Sequence, residues 1–308
     1  MTKYIIKRLL GMIPTLLVII TLSFFIVRVA PGGPFDGERA LPEEVLANIE
    51  AKYHLDEPVL QQYGRYLFDV VRGDLGPSYK YVDNDVNYYI FTSLPNSAVL
   101  GVVAILIALI FGILFGILAA IYQNSWIDYL TMGLAVLGIS IPLFVIGPLL
   151  QLVFAMKLHW LPISGWYSTG EGYSTIILPA ISLAFAYFAT IARLTRSSML
   201  ETLRSDYIRT AKAKGMKNST IIAKHAMKGA MLPIVSYLGP AFAGIITGSI
   251  VIEQVFRVPG IGKFFVQSSF NRDYTLIIGV VIVFSVILVV MNFLVDIVYA
   301  LLDPRIAY

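Results

Sequence analysis

Cysteine does not occur in these 308 residues, which removes disulfides, thiolate nucleophiles and cysteine-based metal sites and leaves the redox compartment unspecified. Charge is also scarce. Asp, Glu, Lys and Arg make up 14% of the chain, against about 25% in an ordinary soluble domain. With 57% hydrophobic residues and a mean hydropathy of +0.78, the chain needs a solvent that does not demand charge, and lipid is that solvent. Histidine is scarcer still: His54, His159 and His225 fall in different loops with no pair at ligand spacing, so neither a metal centre nor a histidine-based catalytic site is expected.

Two motifs are missing their essential residues. Asp83, Asn84, Asp85 and Asn87 suggest a calcium loop but lack the Gly and the closing Glu of an EF-hand, so they read as a polar turn. Gly260, Gly262 and Lys263 in VPGIGKFF come nearest a nucleotide motif. A phosphate loop needs Gly five residues before the Gly-Lys pair and Ser or Thr after it, and Arg257 and Phe264 stand there instead. No ATP site is expected in this chain, so if it takes part in ATP-driven work the motor is another polypeptide. The net charge of +4 does not point to nucleic acid, because the basic residues fall where membrane topology puts them.

Six runs are long and apolar enough to cross about 30 Å of hydrocarbon. They are Leu9 to Val27, Val99 to Tyr122, Tyr129 to Met156, Ser174 to Ala192, Met231 to Ile252, and Tyr274 to Leu302. The first follows Lys3, Lys7 and Arg8 like the parts of a signal peptide, but it exceeds the usual apolar region of roughly 7–15 residues and reads as a retained anchor. The third holds Pro142, Gly147 and Pro148 and is expected to kink or break there. An even number of spans puts both termini on one side. The segment between the fourth and fifth runs carries Arg193, Arg196, Arg204, Arg209, Lys212, Lys214, Lys217, Lys224 and Lys228 against Glu201 and Asp206, which predicts a cytoplasmic loop. The basic N-terminus falls on the same side.

On the opposite side lies Pro31 to Ala98, with eleven acidic residues against five basic ones. After Pro42, the residues Val45, Leu46, Ile49 and Tyr53 share a helix face; after Pro58, so do Val59, Tyr63, Tyr66, Leu67 and Val70, and together they predict a small helical cap over the outer mouth. The division expected is an N-terminal anchor over 1–30, an outer helical segment over 31–98 and a core of five spans over 99–308, with an inner loop at 193–230. Trp126, Trp160 and Trp166 sit at span ends and read as headgroup anchors. GxxxG occurs at Gly112 to Gly116 and at Gly244 to Gly248, where small residues favour helix packing. Asp296, four residues after Asn292, is the one clearly embedded acid and reads as a structural clamp, with Arg193 or Arg196 as candidate partners. Polar residues within the spans that could line a path are Ser140, Gln151, Ser236, Tyr237, Thr247, Ser249 and Asn292. Some of them are expected to bond to neighbouring helices instead.

The inner stretch SDYIRTAKAKGMKNSTIIAKHAMKGAMLP is basic, helix-permissive and too long for a tight turn, with small Ala211 and Ala213 shortly before Gly215. RTAKAKG, Arg209 to Gly215, resembles the E-A-A-x-x-x-G loop of the binding-protein-dependent ABC importer permeases. Ala211 and Gly215 match, while Arg209 and Thr210 replace the Glu and the first Ala, and Pro233 comes later than the family's usual Leu-Pro. VRVAPGGPF, KYHLDEPVLQQY, RGDLGPS, VIEQVFRVPGIGKFFVQSSFNRDY and NFLVDIVYALLDPRIAY extend the likeness over essentially the whole chain, to the B-type permease subunits of its oligopeptide branch.

The resemblance implies an all-α polytopic protein of six transmembrane helices with the type I ABC importer permease fold and a small periplasmic helical cap. It lies in the bacterial inner membrane, among lipid, with both termini cytoplasmic. It implies a non-enzymatic pore subunit that pairs with a second, homologous permease subunit and two cytoplasmic ATPase subunits carrying ATP and Mg. A periplasmic or extracellular binding protein delivers the peptide. Tyr207, Arg209, Thr210, Ala211, Lys212, Ala213, Lys214 and Gly215 would form the ATPase-coupling loop. Dipeptide, murein-peptide and nickel permeases share most of these motifs, and a proton-coupled secondary transporter or a purely structural membrane protein are the readings outside the family.

Overall fold

The computed structural model describes residues 2–29, 33–35, 43–81, 83–246 and 250–302. Every regular element among them is helical. A 28-residue helix, α1 (Thr2–Val29), is followed by two short helices, α2 (Glu43–Lys52) and α3 (Val59–Val71), that form the expected cap. Pro42, the expected opener of α2, lies outside the described residues. Pro58 starts α3, with its carbonyl accepting from the Gln61 and Gln62 amides at 2.8 and 3.1 Å.

The next helix, α4 (Val86–Ile121), runs 36 residues and begins well before the apolar run did. Its polar start is helical because Val86 and Ile90 are fully buried against Leu75, Leu276 and Ile278. Tertiary packing therefore extends a helix that hydropathy ends. Next, α5 (Trp126–Ser140) and α6 (Leu143–Leu150), with a wide π-turn over Gln151–Lys157, form the third span bent by 110°. The bend sits at Ile141, which is extended as a residue before proline prefers, and Pro142 starts the second arm. Five helices are long and apolar enough to span a membrane, and the bent pair makes six if it counts as one.

The remaining elements are α7 (Ile177–Leu203), α8 (Asp206–Ala213), the single turn α9 (Asn218–Thr220) leading through π-turns over Ile221–Ala226 into α10 (Met227–Ile246), then α11 (Ile250–Phe256), α12 (Gly262–Asn271) and α13 (Tyr274–Leu302). The last matches the expected span at both ends.

The pair α4 and α7 forms the centre, with α5 and α10 on α7 and α13 beside α10. Two glycines allow it: a Cβ on Gly112 would meet Ile191 Cγ2 at 2.8 Å, and one on Gly116 would meet Thr195 Cβ at 2.6 Å. The second GxxxG differs. A Cβ on Gly244 would find only Tyr187 Oη at 3.7 Å, and Gly248 lies outside the described residues. Trp126 and Trp160 are 72% and 70% exposed, as headgroup anchors would be, whereas Trp166 is completely buried. Its Nε1 donates to Asn96 Oδ1 at 2.9 Å, so it anchors the loop before α7 to α4 and does not face headgroups.

Candidate coupling surface and translocation path

The basic loop after α7 folds in part as the two-turn helix α8, which packs on the π-turn Ile221–Ala226 and shares a buried cluster with Ala120 of α4, Met199 of α7 and Ala230 of α10. Ile208 and Ala211, three apart and hence on one face, are buried with Met199, Ile221, Ala226 and Ala230. Tyr207, Arg209, Thr210, Lys212, Ala213 and Lys214 are exposed. Ala211 is therefore small because it packs inside this chain, while Ala213 keeps its place on the outer surface. Gly215 ends the helix: its φ is +73°, its amide donates to the Lys212 carbonyl at 2.9 Å, and the Met216 amide donates to the Ala211 carbonyl at 3.3 Å. That is a Schellman cap, in which glycine adopts the left-handed conformation at little cost. Among the described residues no atom lies within 4 Å of where its Cβ would be. The backbone dihedral is what requires glycine there, and the open space beside it leaves room for a partner surface.

Two salt bridges tie the inner ends together, and the partners differ from those expected. Arg196 binds Asp128 in two places, Nε to Oδ1 at 2.5 Å and Nη2 to Oδ2 at 2.6 Å, while the Asn124 amide donates to Oδ2 at 3.0 Å. Asp128 is 3% exposed, so it is a buried acid that sequence reasoning overlooked. Asp296 pairs with Arg8 of α1 at 3.0 Å and not with Arg193 or Arg196. Its cation lies 288 positions away in sequence. Tyr299 adds a bond from Oη to the Leu232 carbonyl at 3.1 Å, joining α13 to α10.

Of the candidate path residues, Ser236 and Tyr237 lie on α10, the Tyr237 ring 6.5 Å from that of Tyr187 on α7, and Asn292 lies on α13. Ser236 and Asn292 are exposed, although Ser236 Oγ donates to Leu232 of its own helix at 3.0 Å. Gly239 lets α10 and α13 close, because a Cβ there would lie 2.6 Å from Asn292 Oδ1. Ser140 is exposed at the bend of the third span. Gln151 is used internally: its Nε2 donates to the carbonyls of Ile163 at 2.7 Å and Val255 at 3.1 Å. Thr247 and Ser249 lie outside the described residues.

One buried polar construction is formed by a segment that sequence reasoning had weighed only as an incomplete phosphate loop. Glu253, 2% exposed, accepts from Ser97 Oγ at 2.6 Å and from the Gly262 amide at 2.9 Å. Ser97 Oγ in turn accepts from the Ile261 amide at 2.9 Å, and Asn96 Nδ2 donates to the Pro259 carbonyl at 3.0 Å. The VPGIG loop thus winds around a buried carboxylate and onto α4. Gly260 lies so close to Glu253 and Ser97 that a Cβ would overlap both. An acid seven residues before alternating glycines was the available signal.

Residues 112–308 match the family described as the binding-protein-dependent transport system inner membrane component, and residues 1–104 match the N-terminal component of the same systems. The chain belongs to this permease family. It is 51% identical over the full length of both chains to the oligopeptide transport system permease protein OppB of Escherichia coli (strain K12), and 52% identical to that of Salmonella typhimurium. The dipeptide transport system permease protein DppB of Bacillus subtilis is 48% identical over 99% of this chain and 98% of its own. A crystal structure of an amino acid ABC transporter aligns with TM-score 0.50 and 18% identity over 68% of this chain and 92% of that one, a likeness of fold alone. Family membership answers the proton-coupled and purely structural readings in favour of binding-protein-dependent transport.

On the opposite side of the permease from α8, Asp273 precedes α13 and caps it, accepting from the Leu276 amide at 3.2 Å. It also takes the Ser78 hydroxyl and, at 3.2 Å, the Tyr79 amide. Two segments quoted separately above, RGDLGPS and FNRDY, are therefore one joint. It seats the cap on the last span.

Proposed function

We propose that this permease is the peptide-carrying membrane subunit of an ATP-driven importer and forms half of the translocation path beside a second, homologous permease subunit. The observation that carries this reading is the platform made by α8: a short helix held from beneath by Ile208 and Ala211, with a basic outer face of Arg209, Lys212 and Lys214. A helix rooted in the ends of three spans can transmit a push as rigid-body movement of those spans. The push comes from two cytoplasmic ATPase subunits that carry ATP and Mg. The excess of Lys and Arg in the basic loop supports a cytoplasmic side for α8 and both termini, with residues 31–98 facing a periplasmic or extracellular peptide-binding protein. The polar side chains Ser236, Tyr237 and Asn292 offer hydrogen bonds to a hydrated peptide that hydrocarbon cannot.

Co-purification of ATPase chains with the wild-type permease, lost when Gly215 is replaced by Trp, tests the coupling role. ATP-dependent peptide uptake in proteoliposomes tests the rest. Uptake on a proton gradient alone, without ATP, would overturn the proposal. The 48% identity to a dipeptide permease favours short cargo as the second reading, which uptake of peptides of graded length separates from oligopeptide transport.

A further inference from the structure

At its outer end α1 is crossed by α3. Arg28 Nη2 donates to Gln62 Oε1 at 3.0 Å, Thr21 Oγ1 and Tyr63 Oη share a hydrogen bond of 2.5 Å, and the Phe24 ring lies 5.2 and 5.7 Å from those of Tyr63 and Tyr66. Beside this crossing is a cavity of about 160 Å³ bordered by Arg28, Lys52, Tyr66, Tyr79 and Tyr274. Its donors outnumber its acceptors. The Arg28 guanidinium lies 3.4 Å above the Phe24 ring, and among the described residues it has no carboxylate within ion-pair distance. Asp69 borders the cavity without pairing to it, and nearby Glu57 takes Arg65 at 2.6 Å and His54 at 3.2 Å, both on Oε1. Tyr66 Oη is buried with no hydrogen-bond partner among the described residues. Burial pushes its phenol up, and pushes that of Tyr79 to about 12, so both remain protonated donors.

We infer that this cavity is an oxyanion site that holds the phosphate of an outer-leaflet phospholipid, with Arg28 as its counter-ion and Tyr66 Oη as a donor. An arginine and a tyrosine bordering one small space suit a phosphate, which offers acceptors only and takes charge-assisted bonds from arginine. The level of the cavity identifies the source. Leu22, Ile26 and Val29 of α1 are exposed beside it, as are Leu60, Phe68 and Val71 on the outer face of α3, so hydrocarbon reaches this height on both helices. Arg72, its guanidinium 3.8 Å above the Phe68 ring, marks the polar rim where a long cation reaches toward headgroups.

The test uses the full chain, delipidated in maltoside detergent, with short-chain phosphatidylglycerol or inorganic phosphate as probe, and reads retained lipid by native mass spectrometry and thermal unfolding. The wild type is expected to retain one phosphatidylglycerol and to gain melting temperature with lipid. Arg28→Gln should weaken the lipid response at least about tenfold. Tyr66→Phe deletes a hydroxyl that has no hydrogen-bond partner among the described residues, so its melting temperature without lipid should be unchanged or higher, while its affinity for lipid falls about tenfold. That variant decides the matter even if Arg28→Gln does not fold. An unchanged lipid response in Tyr66→Phe, or no response in the wild type, as for a cavity that holds only water, overturns the site. Equal stabilisation by inorganic phosphate at the same concentration overturns the lipid source and leaves a free-phosphate site.

Discussion

Replacing Glu253 and Gly260, singly and together, probes the buried hub most directly. Glu253→Ala removes the acceptor of two charge-assisted bonds, from Ser97 Oγ at 2.6 Å and from the Gly262 amide at 2.9 Å, and leaves both donors buried. At about 1.5–3 kcal/mol for each bond to a charged group, the loss is about 3–6 kcal/mol. Gly260→Ala acts by collision, because its Cβ would overlap the Glu253 carboxylate and Ser97 Oγ. The φ of Gly260 is not among the positive ones, so the backbone itself accepts a side chain. Overpacking of this kind costs about 1–3 kcal/mol. Once Glu253→Ala has emptied the space, the Gly260→Ala methyl has somewhere to go. The double variant should therefore lose about 1–2 kcal/mol less than the sum of the singles. Thermal or denaturant unfolding of the full chain in detergent, followed by size-exclusion fluorescence, measures all three. Strict additivity would refute the reasoning, as it would mean that the loop does not rest on the carboxylate.

Three further outcomes are expected. Arg196→Ala leaves the nearly buried Asp128 without its bidentate partner and should destabilise by about 3–5 kcal/mol; the exchanged pair Asp128→Arg with Arg196→Asp should recover part of that in the same unfolding assay. Gly215→Ala should cost about 1 kcal/mol through its left-handed φ, with Gly215→Asn milder, because no steric clash accompanies the change. Trp166→Phe strands Asn96 Oδ1 and shrinks a fully buried ring, for a loss of about 2–3 kcal/mol, whereas Trp160→Phe at the exposed span end should stay within about 0.5 kcal/mol by thermal unfolding.

Legibility along the chain follows the range of the interaction involved. The last span was readable to the residue, since twenty-nine helical residues with hardly any charge satisfy the bilayer's demand for internal hydrogen bonding without reference to any neighbour. The bend at Pro142 was readable for a similar reason, as proline acts on its own residue and the one before it. The start of α4 was not, because Asn87, Thr92, Ser93 and Asn96 look like a loop until Val86 and Ile90 are seen buried against α13. In the inner loop, Ala211 and Gly215 were singled out for one shared reason where the structure has two: burial for the first and a backbone dihedral for the second.

By itself the sequence determined that this chain lives in lipid, where its spans begin and end to within a few turns, and that no nucleotide loop is written in it. Those properties are local, set by runs of apolar side chains and by the spacing of a few glycines and prolines. Only the tertiary structure decided that Asp296 meets Arg8, that Trp166 is buried, and that VPGIG encloses Glu253. Each of these joins residues far apart in the chain or inverts the ordinary preference of a side chain. An acid buried at such a joint goes wherever a donor is brought within 3 Å, and that is settled by how the helices pack.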